Sequence, residues 1–196
     1  MFKRASIKWI VVASLVGMSP AVAATSEMPK SKQTVLGKYM TAKEAYEKVT
    51  TQREKVLFLD IRTTGELMFV GGTAEVDAVV PFVEIKQPVT WDDKAGRFAL
   101  TPNVSFTASV EAVLDRKGLG KTDMVLLMCR SGDRSAKAVN SLAAAGYTNA
   151  WSVHDGFEGD LSKDGIRSIN GRKNPGLPWS YKLDKSKFLL SVEPKR

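Results

Sequence analysis

Two five-residue runs, Val56-Leu-Phe-Leu-Asp60 and Met124-Val-Leu-Leu-Met128, are almost unbroken in apolar character. A strand that is apolar toward both sides is buried on both faces, which is the pattern of a parallel sheet covered by helices. The first run leads into Asp60 and Arg62, the second into Cys129. Helical spacing fills the intervals. Thr41-Ala-Lys-Glu44 predicts a capping box opening a helix, with Ala45, Tyr46 and Val49 on its buried side. Phe106, Val110, Val113 and Leu114 predict a second helix, capped by Asn103 and stopped at Gly118. Residues 134–145 predict a third, whose inner face is Ala138, Val139, Leu142 and Ala145, with Gly146 beyond its end. A short helix is expected around Glu66 to Phe69, and short strands at Ala78–Val80 and Ala150–Val153. Within residues 84–102, Val89-Thr-Trp91 and Arg97-Phe-Ala-Leu100 flank Asp92 to Gly96 as the arms of a hairpin. The alternation predicts an α/β fold, a sandwich with a central, mostly parallel sheet flanked by helices. Sites in such folds lie at the carboxyl ends of the strands, where Asp60-x-Arg62 and Cys129 both fall.

The two ends follow other patterns. Lys3, Arg4 and Lys8 precede a short apolar run, Trp9 to Met18, and then Ser19-Pro20 and the small residues Ala21 to Ala24. Basic, apolar, then small is the order of a secretory signal, and the apolar run is shorter than the ~20 residues a membrane span needs. Residues 1–23 are therefore read as a signal peptide, and the mature protein as periplasmic or otherwise exported with no membrane contact. Cleavage would remove three positive charges and no negative ones, lowering the net charge from +8 to +5. The remaining Lys and Arg are scattered without interleaved aromatics, so no nucleic-acid partner is expected. Residues 24–40 are polar and read as a flexible segment. The domain proper is placed at 41–161. The stretch 162–196 is read as an extension packed on it through Trp179, Tyr181, Phe188 and Leu189.

Cys129 is the only cysteine and His154 the only histidine. One of each cannot build a closed zinc site, and neither a metal nor a cofactor is expected. In Cys129-Arg-Ser-Gly-Asp-Arg134-Ser135, a loop leaves a buried strand and enters a helix. Such a turn aims backbone N–H groups and the positive helix end at one spot. Gly132 permits a tight curl, and Arg130 and Arg134 add charge. These features favour thiolate over thiol at Cys129 and would hold an anion beside it. Asp133 opposes this unless its carboxylate turns away to cap the helix. His154 is read as a loop imidazole without a chemical role, and Trp91, Trp151 and Trp179 as packing residues.

The loop 129–135 resembles the active-site loop of the rhodanese (sulfurtransferase) superfamily, and the likeness extends over roughly residues 40–160. Leu59-Asp-Ile-Arg62 followed by Glu66 is similar to an Asp-x-Arg…Glu element of that family, and Ala145-Gly-Tyr147, Trp151-Ser-Val153 and Gly156-Phe157 to its closing helix end, strand and turn. The segments Met68 to Gly71 and Trp91 to Asp93 are similar to those of exported single-domain members. One departure is Thr73-Ala-Glu-Val-Asp-Ala78, where the family often has His-Ile-Pro-Gly-Ala; it bears on the shape of a supporting loop. The resemblance implies a rhodanese-like three-layer sandwich and a metal-independent transfer of sulfane sulfur through a persulfide on Cys129. Thiosulfate would be the donor, and a thiol, cyanide or a partner protein the acceptor. It further implies that Arg130, Ser131, Gly132, Asp133, Arg134 and Ser135 bind the substrate, while Asp60 and Arg62 brace the loop. Related phosphatase loops place five residues between Cys and Arg; here four do, too few to wrap a tetrahedral phosphate. A non-catalytic or redox-sensing binding module of the same fold is the alternative reading.

Overall fold

The structure is a computed structural model and describes residues 28–189. The expected signal segment lies outside the described residues. Among those described, no helix is long and apolar enough to cross a membrane.

The chain opens with β1 (Tyr39–Met40) and α1 (Ala42–Thr51), then β2 (Val56–Asp60), α2 (Thr64–Val70) and β3 (Ala78–Val79). Four short strands follow, β4 (Val83–Ile85), β5 (Trp91–Asp92), β6 (Arg97–Phe98) and β7 (Leu100–Pro102). The remaining elements are α3 (Phe106–Lys117), β8 (Met124–Met128), α4 (Asp133–Ala144) and β9 (Ala150–Val153). Five strands form one parallel sheet in the order β1-β9-β8-β2-β3. The fold is thus α/β, with a parallel central sheet between layers of helix.

Side chains of a strand alternate between faces, and β2 and β8 use both. Leu57, Leu59, Val125 and Leu127 join Val110 and Leu114 of α3 and Val139 and Leu142 of α4 in one core. Val56, Phe58, Leu126 and Met128 join Ala45 and Val49 of α1 in the other. Cys129 continues the odd-numbered series and so falls on the α3 and α4 side. The helix ends follow the sequence. Thr41 and Glu44 close a capping box on α1, Thr63 and Glu66 close another on α2, and Gly118 ends α3 in a left-handed conformation. Asn103 works one step away from the expected cap: its side chain accepts from the Ser105 amide, and Ser105 is the residue flanking α3.

Two regions depart from the sequence reading. Residues 28–40 are built into the fold, not a flexible lead-in. Tyr39–Met40 pair with Ser152–Val153 of β9, the Val35 amide donates to Asn140 of α4, and Lys32 is buried on an ion pair with Asp160 at 2.6 Å. Polar composition concealed this because the contacts are backbone bonds and one buried charge pair. Residues 83–102 form two stacked antiparallel pairs, β4 with β7 and β5 with β6, a longer ribbon than the expected hairpin. It is fixed at its base, where Phe82 meets Phe106 edge to face at 5.0 Å and Asn103 donates to the Pro81 carbonyl. The region 73–78, divergent from the family pattern, is held by Asp77, whose carboxylate accepts from the Phe58 amide and pairs with Lys117.

The C-terminal stretch meets the domain at Trp179 and Phe188, while Tyr181 and Leu189 are exposed. Gly72 and Ser180 exchange backbone bonds, Trp179 packs edge to face on Phe157, and Asp155 accepts from both the Ala42 and Gly171 amides. Arg172 is fully buried, donating to Pro178 and Glu75. Replacing Trp179 with Ala removes the half-buried ring that presses this stretch onto the second core. The unfolding free energy by urea titration is expected to fall by about 1–3 kcal/mol.

Candidate active site

Parallel register sets the site. Val56 aligns with Met124 and Asp60 with Met128, so the chain leaves β2 and β8 at one level. The Ile61 amide donates to the Met128 carbonyl, which brings Arg62 and Cys129 out side by side. The turn after Cys129 is then forced by close backbone contact. Gly132 has φ +105°, and a Cβ there would lie 2.1 Å from the His154 carbonyl oxygen. Gly156, with φ +63°, comes as near to Cys129: a Cβ would sit 2.5 Å from its carbonyl oxygen. Only glycine fits at either place. Amides of the next turn complete the clamp, Phe157 donating to the Cys129 carbonyl and Glu158 to that of Arg130.

This curl points the Gly132 amide at the Cys129 sulfur, N to Sγ 3.1 Å. The Ser135 hydroxyl stands 3.6 Å from the same sulfur. It donates onward to the Gly132 carbonyl at 2.8 Å and lies 2.8 Å from the Ser152 hydroxyl. The helix begins at Asp133, so the amides of residues 133–135 have no carbonyl of their own helix to meet and lie next to the sulfur in sequence. The loop therefore carries unpaired backbone N–H donors beside the sulfur, as an anion site requires.

The charged residues divide into two groups. Arg62 is fully buried, bonded to Asp60 at 2.7 Å, to the Gly71 carbonyl, and stacked 3.7 Å from the Phe157 ring centre. Since Phe157 in turn holds the Cys129 carbonyl, Asp60 and Arg62 brace the loop from below. Arg134 was expected to hold substrate. Instead its guanidinium grips both oxygens of Glu66, at 2.6 and 2.5 Å, a fork that joins α4 to α2. Burial alone would raise the Glu66 carboxyl. The hydrogen bonds and charge of Arg134, with the amide and hydroxyl of Thr63, outweigh burial and hold it at about 2. Its charge is thereby largely answered before any ligand arrives. Arg130 and Lys137 are exposed and, among the described residues, form no ion pair. Asp133 does not cap α4; its carboxylate meets the Ser131 hydroxyl at 3.5 Å.

Cys129 is 1% exposed and opens only into a cavity of about 440 Å³. One side of this cavity is the loop, from Cys129 to Arg134, with Glu66 and Lys137. The other is the ribbon, with Val83, Ile85, Phe98 and Leu100. Of the residues singled out in the sequence, Cys129, Arg130, Ser131, Asp133 and Arg134 line this cavity, Gly132 and Ser135 stand behind the sulfur, and Asp60 and Arg62 lie beneath. His154 contributes its backbone, not its ring. Sequence reasoning missed the ribbon wall, the Ser152 partner of Ser135, and the Arg134 fork; the place of Glu66 in the Asp-x-Arg…Glu likeness was a trace of the last.

A buried cysteine in a glycine-curled loop, at the carboxyl end of a parallel sheet, defines a class of cysteine-loop α/β proteins. Within it, residues 41–163 match the family model for the rhodanese-like domain, and the chain belongs to that family. Uncharacterized protein RP600 of Rickettsia prowazekii (strain Madrid E) is 28% identical over 123 residues, covering 63% of this chain and 81% of that protein. Uncharacterized protein RC0915 of Rickettsia conorii (strain ATCC VR-613 / Malish 7) is 36% identical over 58 residues, 30% of this chain and 42% of that one. The crystal structure of Rv0390 from M. tuberculosis superimposes with a TM-score of 0.56 at 29% identity, covering 74% of this chain and 97% of that one.

The Glu66–Arg134 fork carries a pH signature. A carboxyl held below its unfolded value stabilises the fold above about pH 4.5 and ceases to do so as the pH falls toward 2. Stability is expected to drop by on the order of 3 kcal/mol across that window. The Glu66→Gln variant should lose most of this slope and unfold at lower urea concentration at pH 7. Denaturant titrations of both proteins at several pH values provide the check.

Proposed function

We propose that the protein is a sulfurtransferase in which Cys129 carries the sulfur. The observation that supports this reading best is the donor-lined curl around the Cys129 sulfur, with Gly132 N–H at 3.1 Å. An added sulfur bearing negative charge would lie beside the Gly132 amide and the unpaired amides of the first turn of α4, groups fixed by the fold.

In the first half-reaction the Cys129 thiolate attacks the outer sulfur of a donor such as thiosulfate. The new S–S bond forms as the bond to the sulfonyl sulfur breaks, and sulfite departs with the electron pair. In the second, cyanide or a thiolate attacks the terminal sulfur of the persulfide and leaves as thiocyanate or as a new persulfide, restoring the Cys129 thiolate. Both steps are two-electron displacements at sulfur and balance without an oxidant or reductant. Arg130 and Lys137 attract the anionic donor, while Arg134 acts through Glu66 as a positioning residue. Asp60 and Arg62 hold the floor of the loop. The proposed setting is periplasmic or otherwise exported, after removal of residues 1–23, and the acceptor is a small thiol or a partner protein.

The burial of Cys129 at the floor of a cavity suits a slim sulfur donor better than a surface sensor of oxidants. Incubation with thiosulfate should raise the intact mass by one sulfur atom, cyanide should remove it as thiocyanate, and Cys129→Ser should take up none. Absence of an adduct from every sulfane donor tried would refute the proposal and leave a binding module.

A further inference from the structure

Lysine is rarely buried, yet Lys32 is only 7% exposed. It ends a short 3-10 turn, Lys30–Lys32, in the segment that precedes the rhodanese-like domain. That segment is fastened around it. The Lys32 amide closes the turn on the Pro29 carbonyl, the Thr34 amide donates to the Tyr39 hydroxyl at 2.7 Å, and the Val35 amide donates to Asn140 of α4 at 2.8 Å. A buried ammonium needs a partner. Lys32 Nζ meets Asp160 at 2.6 Å, and Asn170 fixes that carboxylate by donating to its other oxygen at 3.0 Å. Burial would raise the Asp160 carboxyl, but the hydrogen bonds from Lys32 and Asn170 hold it below the ordinary range.

The two ends of this side chain reach the two halves of the Cys129 curl. A Cβ on Gly132 would lie 3.0 Å from Lys32 Cδ as well as 2.1 Å from the His154 carbonyl oxygen, so the lysine stem rests on the same face of Gly132 as that carbonyl. At the other end, Asp160 follows Glu158 and Gly159, whose amides donate to the Arg130 carbonyl at 2.9 and 3.3 Å. Lys32 does not line the cavity and so has no contact to offer a donor. An apolar residue would fill its place without burying a charge. A lysine adds direction, because stem and ammonium must reach Gly132 and Asp160 together. We propose that Lys32 is a positioning residue of the sulfur site: it clasps the curl at residues 130–132 and holds the Gly132 amide on Cys129. The effect on turnover rests on the sulfur-transfer reading; the effect on the amide does not.

The test uses the full chain with Lys32→Ala, Lys32→Met and Lys117→Met. Lys117 pairs with Asp77 at 2.7 Å and donates to the Val56 carbonyl at the opposite end of the sheet, so its variant controls for the loss of a largely buried ion pair. Hydrogen exchange by NMR reads the Gly132 amide with no donor present. Relative to the amides of β8, which report global opening, its exchange should quicken by about ten-fold in Lys32→Ala, less in Lys32→Met, and not at all in Lys117→Met. Sulfur uptake at saturating thiosulfate should slow by about ten-fold in Lys32→Ala with the half-saturating concentration unchanged, because a hydrogen bond to the charged sulfur is weakened and no donor contact is lost. Unaltered Gly132 exchange in Lys32→Ala, or a change that Lys117→Met reproduces, would overturn the inference. If Lys32→Ala does not fold, Lys32→Met decides by the same comparison. Should the amide loosen while no sulfane donor loads any of the proteins, the clasp stands and the transfer reading fails. Should donors load Lys32→Ala at the wild-type rate, transfer stands and the positioning role falls.

Discussion

The site depends on one backbone contact, that of Gly132 with the His154 carbonyl. Strand β8 delivers Cys129 at the top of the sheet, and β9 ends beside it. For the loop to turn its amides inward, its backbone must press against the backbone that leaves β9, at a distance no side chain allows. Gly156 makes the reciprocal approach to Cys129. The two glycines thus interlock the chain before and after α4. The Phe157 and Glu158 amides then hydrogen-bond the carbonyls of residues 129 and 130. With those carbonyls engaged on the far side, the Gly132 N–H faces the sulfur. Pre-orientation of this kind is what lets a loop hold an anion without ordering anything further.

Electrostatics refine that picture. Arg62, Arg97, Arg130, Arg134 and Lys137 lie around the cavity side and floor of the loop, but their charges are not equivalent. Arg62 and Arg134 are spent on Asp60 and Glu66 and act as struts. A buried ion pair contributes little net stability against an apolar alternative, but removing one partner leaves an uncompensated charge. Such pairs serve here to fix geometry: Arg134 ties the first turn of α4 to α2, and Arg62 carries Phe157 beneath the loop. Attraction for a ligand falls to Arg97, Arg130 and Lys137, which face the cavity without carboxylate partners among the described residues.

Much of this was legible in the chain. The unbroken apolar runs at 56–60 and 124–128 predicted buried parallel strands, because only such strands are apolar toward both faces. The capping box at Thr41 and the helix stop at Gly118 belong to local chemistry and read directly. Residues 129–135 were legible as a unit for the same reason: a glycine, hydroxyls and arginines after a buried strand have few other uses. What escaped was set by partners distant in sequence. Tyr39–Met40 form a strand only because β9 offers its edge, and a two-residue strand has no periodicity to detect. The Arg134 fork needs α2 and α4 side by side, and the ribbon's role as a cavity wall needs Phe82 seated on Phe106. Arg172 was not singled out in the C-terminal stretch, yet it is buried among Glu75, Pro178 and Tyr46.

The central claim is positional: a second sulfur atom on Cys129 comes to rest in the ring of amides that Gly132 opens. A crystal structure of the thiosulfate-treated protein, with anomalous scattering used to locate sulfur, measures this directly. The account predicts an additional sulfur bonded to Cys129 Sγ and within hydrogen-bonding reach of the amides of residues 131–135. An added sulfur directed away from those amides, or a rearranged loop with Gly132 withdrawn from His154, would contradict it.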